Sequence, residues 1–457
     1  MTPQDTVERA LALSKADGCV VITNERSEAN LRWAGNTLTT NGTMQSRSVT
    51  VISVVGEAAG VVQRSAVAAD GLEDLVRASE QAARDAGPSE DAAPLVEPSG
   101  APAGWDDAPA ETSIDMLGDF ARGLGAAFDR AAARDRLLFG FAEHVLETRY
   151  VGSSTGLRLR HTQPTGRVDI NGKSPDYARS AWVGRSTRDF ADIDVPELEG
   201  ELARRLEWAR RSVALPAGRY ETLLPPTSVA DLMFYLYLSA GARPADEGRT
   251  VFSTPGGGTR IGERLSPLPL TLRSDPAEPG LQAEPFLTAT SSDEGQTSVF
   301  DNGLPLVGTD WIRSGELTDL VRSRAWAERT GRAAAPRVDN LVLESADGTA
   351  STDEMVARTE RGLLLTCLWY IRAVDPQTLL LTGLTRDGVY LIEDGRVTGA
   401  VNNFRWNESP VDLLGRITEV GRTEHCLPRE WSDWFTRTAM PTLRVPDFNM
   451  STVSQAS

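Results

Sequence analysis

Residues 215–241 read LPAGRYETLLPPTSVADLMFYLYLSAG, and this stretch decides how the chain divides. Its opening Leu-Pro-Ala-Gly favours a break, because proline and glycine disfavour the interiors of helices and strands. Residues 227–241 then form a strongly apolar run that predicts a buried helix. We therefore expect two domains, one over residues 1–214 and a second over residues 215–457.

The first domain combines helix and strand signals. Thr2 before Pro3 predicts an N-capped helix that ends at Gly18. Alternating apolar residues then predict strands, and Asn41-Gly42 between two of them is a strong hairpin signal because both residues tolerate positive φ. These patterns indicate an α+β domain.

Two more helices and one connection belong to the same domain. Residues 71–86 and 196–212 carry apolar side chains at helical spacing, which predicts amphipathic helices. Residues 87–111 are rich in proline, alanine, glycine and acids, a composition typical of an exposed connection.

The second domain has the richer strand pattern. Residues 388–401 predict a hairpin around an Asp-Gly turn. A capping box predicts a helix over 351–362, and residues 409–421 predict another. The whole chain is therefore expected to be α+β, with a β-rich second domain.

Composition excludes several function classes. The 457 residues include 64 acidic and 47 basic side chains, a formal net charge of −17. Such a surface repels phosphate, which argues against a nucleic-acid or anionic-membrane partner. The N-terminus lacks the pattern of a secretory signal, and no apolar run approaches the length of a membrane span. Three scattered cysteines fit a reducing compartment, so we expect a cytoplasmic protein.

Side chains for hydrolytic chemistry are scarce. The only histidines are His144, His161 and His425, and no Gly-x-Ser-x-Gly, His-Glu-x-x-His or Cys-x-x-Cys pattern is present. The apolar context of His144 favours a strand histidine with a structural hydrogen bond, and His161 is expected on the surface. His425 and Cys426 are neighbours, and neighbours on a strand point to opposite faces, so they chelate one ion poorly.

A glycine-rich segment offers one further candidate. Residues 253–264 read STPGGGTRIGER, but they lack the Lys-Ser/Thr of a P-loop and the Gly-x-Gly-x-x-Gly spacing. A flexible loop that orders on a substrate or partner is favoured.

The order of segments resembles the TldD/PmbA family of bacterial proteins, also described as modulators of DNA gyrase. The stretches that carry this resemblance are RWAGNTLTTNG, LPAGRYETLLPP, EGRTVFS, SVFDNGLPLVGTDWIRSGELTDLVRS, VYLIEDGRVTGAVNNFRWNESPVDLLGRITEVG and PTLRV. The resemblance covers nearly the full length. It implies an α+β N-terminal domain and a β-rich, barrel-like C-terminal domain.

Catalytic members of this family carry His-Glu-x-x-x-His on a helix after the domain join, with a distant cysteine as third zinc ligand. The matching helix in this chain, within 227–241, contains no His and no Glu. Cys426 falls near the third-ligand position and is interpreted as a relic. The resemblance therefore implies the zinc-less TldE/PmbA-like subunit, with no catalytic residue and no cofactor, and with zinc in a TldD-like partner.

The implied function is that of a non-catalytic subunit in a heterodimeric peptidase. Its substrate would be unfolded or short peptides, or a precursor peptide in natural-product biosynthesis. Two alternatives stay open: a peptide-binding or regulatory module of the gyrase- or antitoxin-modulator type, and an active hydrolase with an unrecognised site. The residues expected at its cavity or interface are Phe234, Tyr235, Tyr237, Gly256, Gly257 and Gly258.

Overall fold

The computed structural model describes residues 1–98, 100, 104–293 and 295–455. Its helices are α1 Pro3–Leu13, α2 Leu72–Asp85, α3 Gly118–Ala132, α4 Val195–Trp208, α5 Pro226–Leu238, α6 Ala242–Asp246, α7 Arg324–Thr330, α8 Thr352–Ala357 and α9 Pro410–Leu414. None of the helices in this described part is long and apolar enough to cross a membrane.

The strands form three sheets. In chain order they are β1 Gly18–Trp33, β2 Leu38–Val55, β3 Ala58–Ser65, β4 Leu137–Ser153, β5 Arg158–Lys173, β6 Ser180–Thr187, β7 Ser212–Val213, β8 Gly218–Leu224, β9 Thr271–Ser274, β10 Thr309–Arg313, β11 Glu316–Leu317, β12 Leu341–Glu344, β13 Arg361–Leu365, β14 Trp369–Asp375, β15 Leu380–Leu384, β16 Val389–Glu393, β17 Arg396–Val401, β18 Phe404–Glu408, β19 Glu419–Cys426, β20 Thr438–Met450 and β21 Thr452–Val453.

The first sheet has the order β3-β2-β1-β4-β5-β6 and pairs antiparallel throughout. The second has eleven strands, in the order β11-β10-β9-β12-β20-β8-β13-β16-β17-β7, with β19 paired to β20. The third has the order β14-β15-β18-β21. The α+β class predicted from sequence is confirmed.

The two faces of the first sheet have different partners. Successive residues of a strand point to opposite faces, so β1 divides its side chains between them. Cys19 and Val21 pack with α1 and α2, and further along the same face Trp33 packs with α3. Val20 and Ile22 face the other way, into a cluster with side chains of the second domain. Four helices therefore cover one face, and the second domain packs on the other.

The connection between β1 and β2 differs from the sequence prediction. Asn41-Gly42 forms no turn and lies inside β2, paired with β1. The chain reverses instead at Gly35-Asn36, whose φ values are +58° and +64°. Both pairs tolerate positive φ, but the apolar alternation of β1 ends at buried Trp33, and the following residues of β2 are exposed. Burial therefore selects the earlier turn.

Several helices end earlier than predicted, three of them by the largest margin, although the predicted N-cap at Thr2 and the predicted capping box at Ser351 are present. Helix α1 ends at Leu13 instead of Gly18. Helix α8 ends at Ala357, and Gly362 lies in β13. Helix α9 ends at Leu414, and residues 419–421 of its predicted span belong to β19. In each case the glycine predicted to end the helix lies in a strand, so strand pairing overrides the local helix pattern. The predicted hairpin between β16 and β17 is confirmed.

Part of the predicted exposed connection 87–111 packs against both domains. Residues 99 and 101–103 of it lie outside the described residues. Its Asp91 is buried, and the backbone oxygens of Glu90 and Pro94 accept hydrogen bonds of 2.8 Å from arginines of α7. Trp105 packs edge-on against Tyr150 of β4. Polar composition predicted exposure, but these contacts with α7 and β4 hold the segment against both domains.

Gly60 of β3 lets helix α2 approach the sheet. A Cβ added at Gly60 would lie 2.2 Å from the Ala83 nitrogen and 2.3 Å from the Ser79 oxygen. Gly60→Ala is therefore expected to lower the free energy of unfolding by roughly 1–3 kcal/mol. The matched control is Gly42→Ala, where an added Cβ meets nothing within 4 Å. It is expected to change stability by less than about 0.5 kcal/mol. Urea unfolding followed by circular dichroism measures both, and equal losses would contradict the packing argument.

Candidate functional site

The candidate site is built on α5 and the 427–437 loop, which connects β19 to β20. Cys426 ends β19 beside the first turn of α5. Its Sγ lies 3.5 Å from the Pro226 carbonyl oxygen and 3.3 Å from the Thr438 hydroxyl. Burial raises the pKa of the Cys426 thiol to about 12. The sulfur is therefore protonated near neutral pH, whereas zinc binds a thiolate.

The groups around Cys426 do not fit a zinc ion. The ring of His425 packs against Gly280, where an added Cβ would lie 2.4 Å from Cε1. His425 and Cys426 thus face opposite sides of β19, as the strand argument predicted. No group of three or more His, Cys, Asp or Glu side chains in the described ranges is arranged to hold a metal ion.

Asp231 is the one acidic residue of α5, and it is fully buried. Its two carboxylate oxygens accept the backbone N–H groups of Arg429 at 3.2 Å and Glu430 at 3.0 Å. Burial raises the pKa of the Asp231 carboxyl well above its ordinary value of 3.8. The side chain therefore fastens the 427–437 loop to the helix.

An aromatic cluster fills the space between α5 and the loop. Phe234 stacks on Phe435 with ring centroids 4.3 Å apart, and it meets Trp431 edge-on at 4.9 Å. Such ring packing stabilises beyond the burial of area alone, but it provides no lone pairs for a metal. Apart from Asp231, the α5 surface that meets the loop is therefore apolar.

The two tyrosines of α5 differ in exposure. The Tyr237 side chain is fully buried, and its hydroxyl donates to the Val338 carbonyl oxygen at 3.0 Å. Tyr235 is half-buried, and its hydroxyl donates to the Ile371 carbonyl oxygen at 2.9 Å. With Phe234 only 6% exposed, Tyr235 is the most accessible of the three predicted aromatic residues.

The predicted glycine loop lies apart from this cluster. Gly256 and Gly257 are exposed and Gly258 is half-buried, and their φ values of +99°, +102° and +90° are ones that other residues rarely adopt. The Thr254 hydroxyl donates to the Gly257 carbonyl oxygen at 2.7 Å. The cavity beside the loop has Pro255 in its wall, and no α5 aromatic lines it in the portion of the chain that is described. The structure therefore does not bring the two predicted groups into one cavity.

A charged cleft of about 580 Å³ lies between the domains, and sequence reasoning missed it. It opens on the sheet face opposite the four helices. Alternate residues of β4 and β5 form one wall, and the second domain forms the other. Representative lining residues are Glu147, Arg149, His161, Glu284, Arg337, Asp339, Trp434 and Arg437. The only available signal was the alternation of charged residues along the strand sequences.

Ion pairs cross this cleft from one domain to the other. Arg149 of β4 pairs with Glu284 of the second domain at 2.5 Å. Burial raises the pKa of the Glu284 carboxyl, and the nearby guanidinium opposes that shift. Arg437 pairs with Asp339 at 2.5 Å and donates to the Thr165 hydroxyl of β5 at 2.6 Å. The two walls are therefore held in a defined arrangement.

The histidines of the first domain have different roles. His144 is buried, with ring nitrogens 2.7 Å from the Thr112 hydroxyl and 3.1 Å from the Arg188 carbonyl oxygen, so its predicted structural role is confirmed. His161 is half-buried in the cleft, where burial lowers the pKa of its imidazole. The predicted surface position of His161 was wrong because the second domain covers its strand.

The 427–437 loop separates the aromatic cluster from the cleft. Trp431 and Phe435 pack on α5, while Asp433 and Trp434 line the cleft. Trp434 is 79% exposed, whereas Trp311 and Trp406 of the same domain are buried.

Phe435 and Trp434 are neighbours with opposite environments, which makes them a matched pair. Phe435→Ala removes a ring stacked on Phe234, so the free energy of unfolding is expected to fall by about 3–5 kcal/mol. Trp434→Ala removes an exposed ring and is expected to change it by less than about 0.5 kcal/mol. Urea titration of both variants measures these changes in the free energy of unfolding. Similar losses would show that the loop is not anchored through its aromatic face.

Asp231 is expected to make stability depend on pH. Because its pKa is higher in the folded chain than in the unfolded chain, the folded state binds the proton more tightly. This contribution is fully present below the unfolded pKa and is lost as pH rises through the folded pKa. Asp231→Asn removes the titration. The stability of the wild type relative to Asp231→Asn should therefore fall as pH rises above the ordinary value of 3.8 and through the raised folded pKa. Urea unfolding across this range measures the difference, and a rise with pH would refute the assignment.

Comparison with known proteins places this arrangement in a family. Residues 217–452, just over half of the chain, match the family described as the PmbA/TldA metallopeptidase C-terminal domain. No curated protein matches the chain. The matched residues include α5, Cys426 and the whole 427–437 loop.

Solved structures resemble the chain over nearly its full length. TldE from Thermococcus kodakarensis has a TM-score of 0.79 at 17% identity, covering 98% of this chain and 99% of that one. A proposed modulator of a DNA gyrase from Thermotoga maritima has a TM-score of 0.76 at 16% identity, covering 98% of this chain and 99% of that one. A proposed modulator of DNA gyrase from Bacteroides thetaiotaomicron has a TM-score of 0.75 at 14% identity, covering 99% of this chain and 98% of that one. These TM-scores establish a common fold. The match of residues 217–452 shows in addition that the chain belongs to the PmbA/TldD metallopeptidase family.

Proposed function

We propose that this chain is the non-catalytic subunit of a heterodimeric peptidase, paired with a TldD-like subunit that holds zinc and cleaves unfolded or short peptides. The observation that carries the proposal is the composition of α5. The helix that follows the domain join contains no His and no Glu, and Phe234 fills its surface towards the loop. Bond cleavage is therefore assigned to the partner.

The protonation state of the Cys426 thiol also supports the assignment of bond cleavage to the partner. A cysteine near the third-ligand position would serve zinc only as a thiolate. In this chain Cys426 is 5% exposed, its sulfur contacts a carbonyl oxygen and a hydroxyl, and burial raises the pKa of the thiol. These neighbours stabilise a protonated structural thiol.

An exposed apolar surface supports a protein partner. Strand β14 stands at one end of the third sheet, so its outer edge presents backbone groups outside the sheet. On it, Tyr370 and Val374 are 52% and 56% exposed. Tyr370 is joined to the 427–437 loop, because its backbone N–H donates to the Glu430 carboxylate at 2.9 Å. A subunit that docks on this edge would lie beside the loop that borders the cleft.

The two alternatives make different predictions. An active hydrolase would hold its own metal, and a regulatory module would work without a catalytic partner. The two gyrase-modulator structures share only 16% and 14% identity with this chain, so they support the fold and not that role.

Co-purification with a His-Glu-x-x-x-His homologue from the same genome tests the proposal. We expect a heterodimer in size-exclusion chromatography and a peptidase rate above that of either chain alone, with zinc bound by the partner. The matched control is a partner whose motif glutamate is replaced by glutamine, which should still co-elute but cleave nothing. Failure to co-elute with no gain in rate, or stoichiometric zinc and turnover in this chain alone, would reject the proposal.

A further inference from the structure

One cation of the charged cleft has no carboxylate partner among the residues that the structure describes. Arg149 is flanked by Glu147 and Glu284, and Arg437 pairs with Asp339. Arg337 lines the same cleft but forms no ion pair with any residue in the described ranges. A partly buried guanidinium without an anion is unfavourable, because desolvation weakens its hydration and no charge compensates it.

Arg337 is nevertheless held in one orientation. Its Nη2 donates to the Gln296 side-chain oxygen at 2.9 Å and to the Leu238 carbonyl oxygen at 3.3 Å. Its guanidinium carbon lies 5.4 Å from the centre of the Tyr237 ring. The Nε atom is buried and receives no acceptor from the described residues. The side chain is therefore positioned by neutral groups, which leave its charge available.

We propose that the cleft binds a carboxylate group of a short peptide and that Arg337 is its anchor. A guanidinium forms charge-assisted hydrogen bonds with a carboxylate. Because Nη2 already donates to Gln296 and Leu238 and Nε is buried, Nη1 is the atom of Arg337 that would donate to the ligand. The inference deepens the proposed function, since it names the chemical group of the peptide that this subunit holds, and it rests on that function for the choice of a peptide.

The other cleft residues fit such a ligand. The volume of about 580 Å³ lies in the range of small-ligand sites. The exposed indole of Trp434 offers an apolar surface for a peptide side chain. Glu147, Glu284 and Asp339 surround the site with negative charge, which disfavours polyanions such as nucleic acids. A single carboxylate placed on Arg337 suits this balance better than a phosphate-rich ligand.

Calorimetric titration of the full chain, without any partner, tests the site. Three probes are compared: acetyl-Ala-Ala-Ala free acid, its C-terminal amide, and acetyl-Ala-Glu-Ala amide. We expect a probe with a carboxylate to bind about tenfold more tightly than the neutral amide, the gain typical of a hydrogen bond to a charged group. Preference for the free acid assigns a peptide C-terminus, and preference for the glutamate probe assigns an acidic side chain. Equal affinity of all three probes, or no binding, overturns the proposal.

Variants separate the anchor from general effects. Arg337→Gln removes the charge and should abolish the preference for a carboxylate. Arg332→Gln is the matched control, because Arg332 is an exposed arginine of the same segment that does not line the cleft. Because Arg337 also donates a hydrogen bond to Gln296, the thermal unfolding of each variant is measured to check that it folds. If Arg337→Gln does not fold, the probe affinities of Arg337→Lys are measured instead. This variant keeps the charge without the planar guanidinium, so it should retain only part of the preference for a carboxylate.

The outcomes also separate this proposal from the proposed function. A preference retained in folded Arg337→Gln, or lost equally in Arg332→Gln, would overturn the anchor. Co-elution with the catalytic homologue does not depend on Arg337, so a heterodimer without carboxylate preference would reject only this inference. Carboxylate preference without a heterodimer would reject only the partner role.

Discussion

The buried Asp231 side chain holds the 427–437 loop against α5, and both sides of the site depend on this contact. Two backbone N–H groups of the loop donate hydrogen bonds to this one side chain, which lies in the middle of an otherwise apolar helix. A buried acid is costly unless its oxygens are satisfied, so the loop must stay within hydrogen-bond distance of the helix. This constraint turns Phe435 towards α5 and leaves Trp434 facing the cleft.

The same loop also joins the domains through Arg429. Its guanidinium pairs with Asp387 at 2.7 Å and lies over the rings of Trp369 and Trp182, at 4.6 and 5.4 Å. Trp182 belongs to β6 of the first domain, so this buried cation connects the edge of that sheet to the second domain. Helix α5 and the loop that packs on its aromatic rings thus organise the domain interface around them.

Several parts of this structure followed from local sequence. The helices α2 and α5, the capping boxes of α1 and α8, and the β16–β17 hairpin depend on residues within a few positions of each other. Errors arose where distant residues decide. Asn41-Gly42 has the composition of a turn, yet burial of Trp33 places the reversal earlier. The last predicted turns of α8 and α9 were lost to strands whose partners are far away in sequence.

The sequence by itself determined what the site lacks: α5 has no His and no Glu, and this requires neither folding nor a partner to establish. It also determined the α+β class, through periodicity and turn residues. Only the tertiary structure decided that Arg149, Glu284, Arg337 and Trp434 share one cleft, since loop closure and sheet packing bring together residues from both domains. It also decided the environment of each charge. Whether an arginine has an anion beside it depends on which strands pack together, and no local pattern of residues encodes that distance.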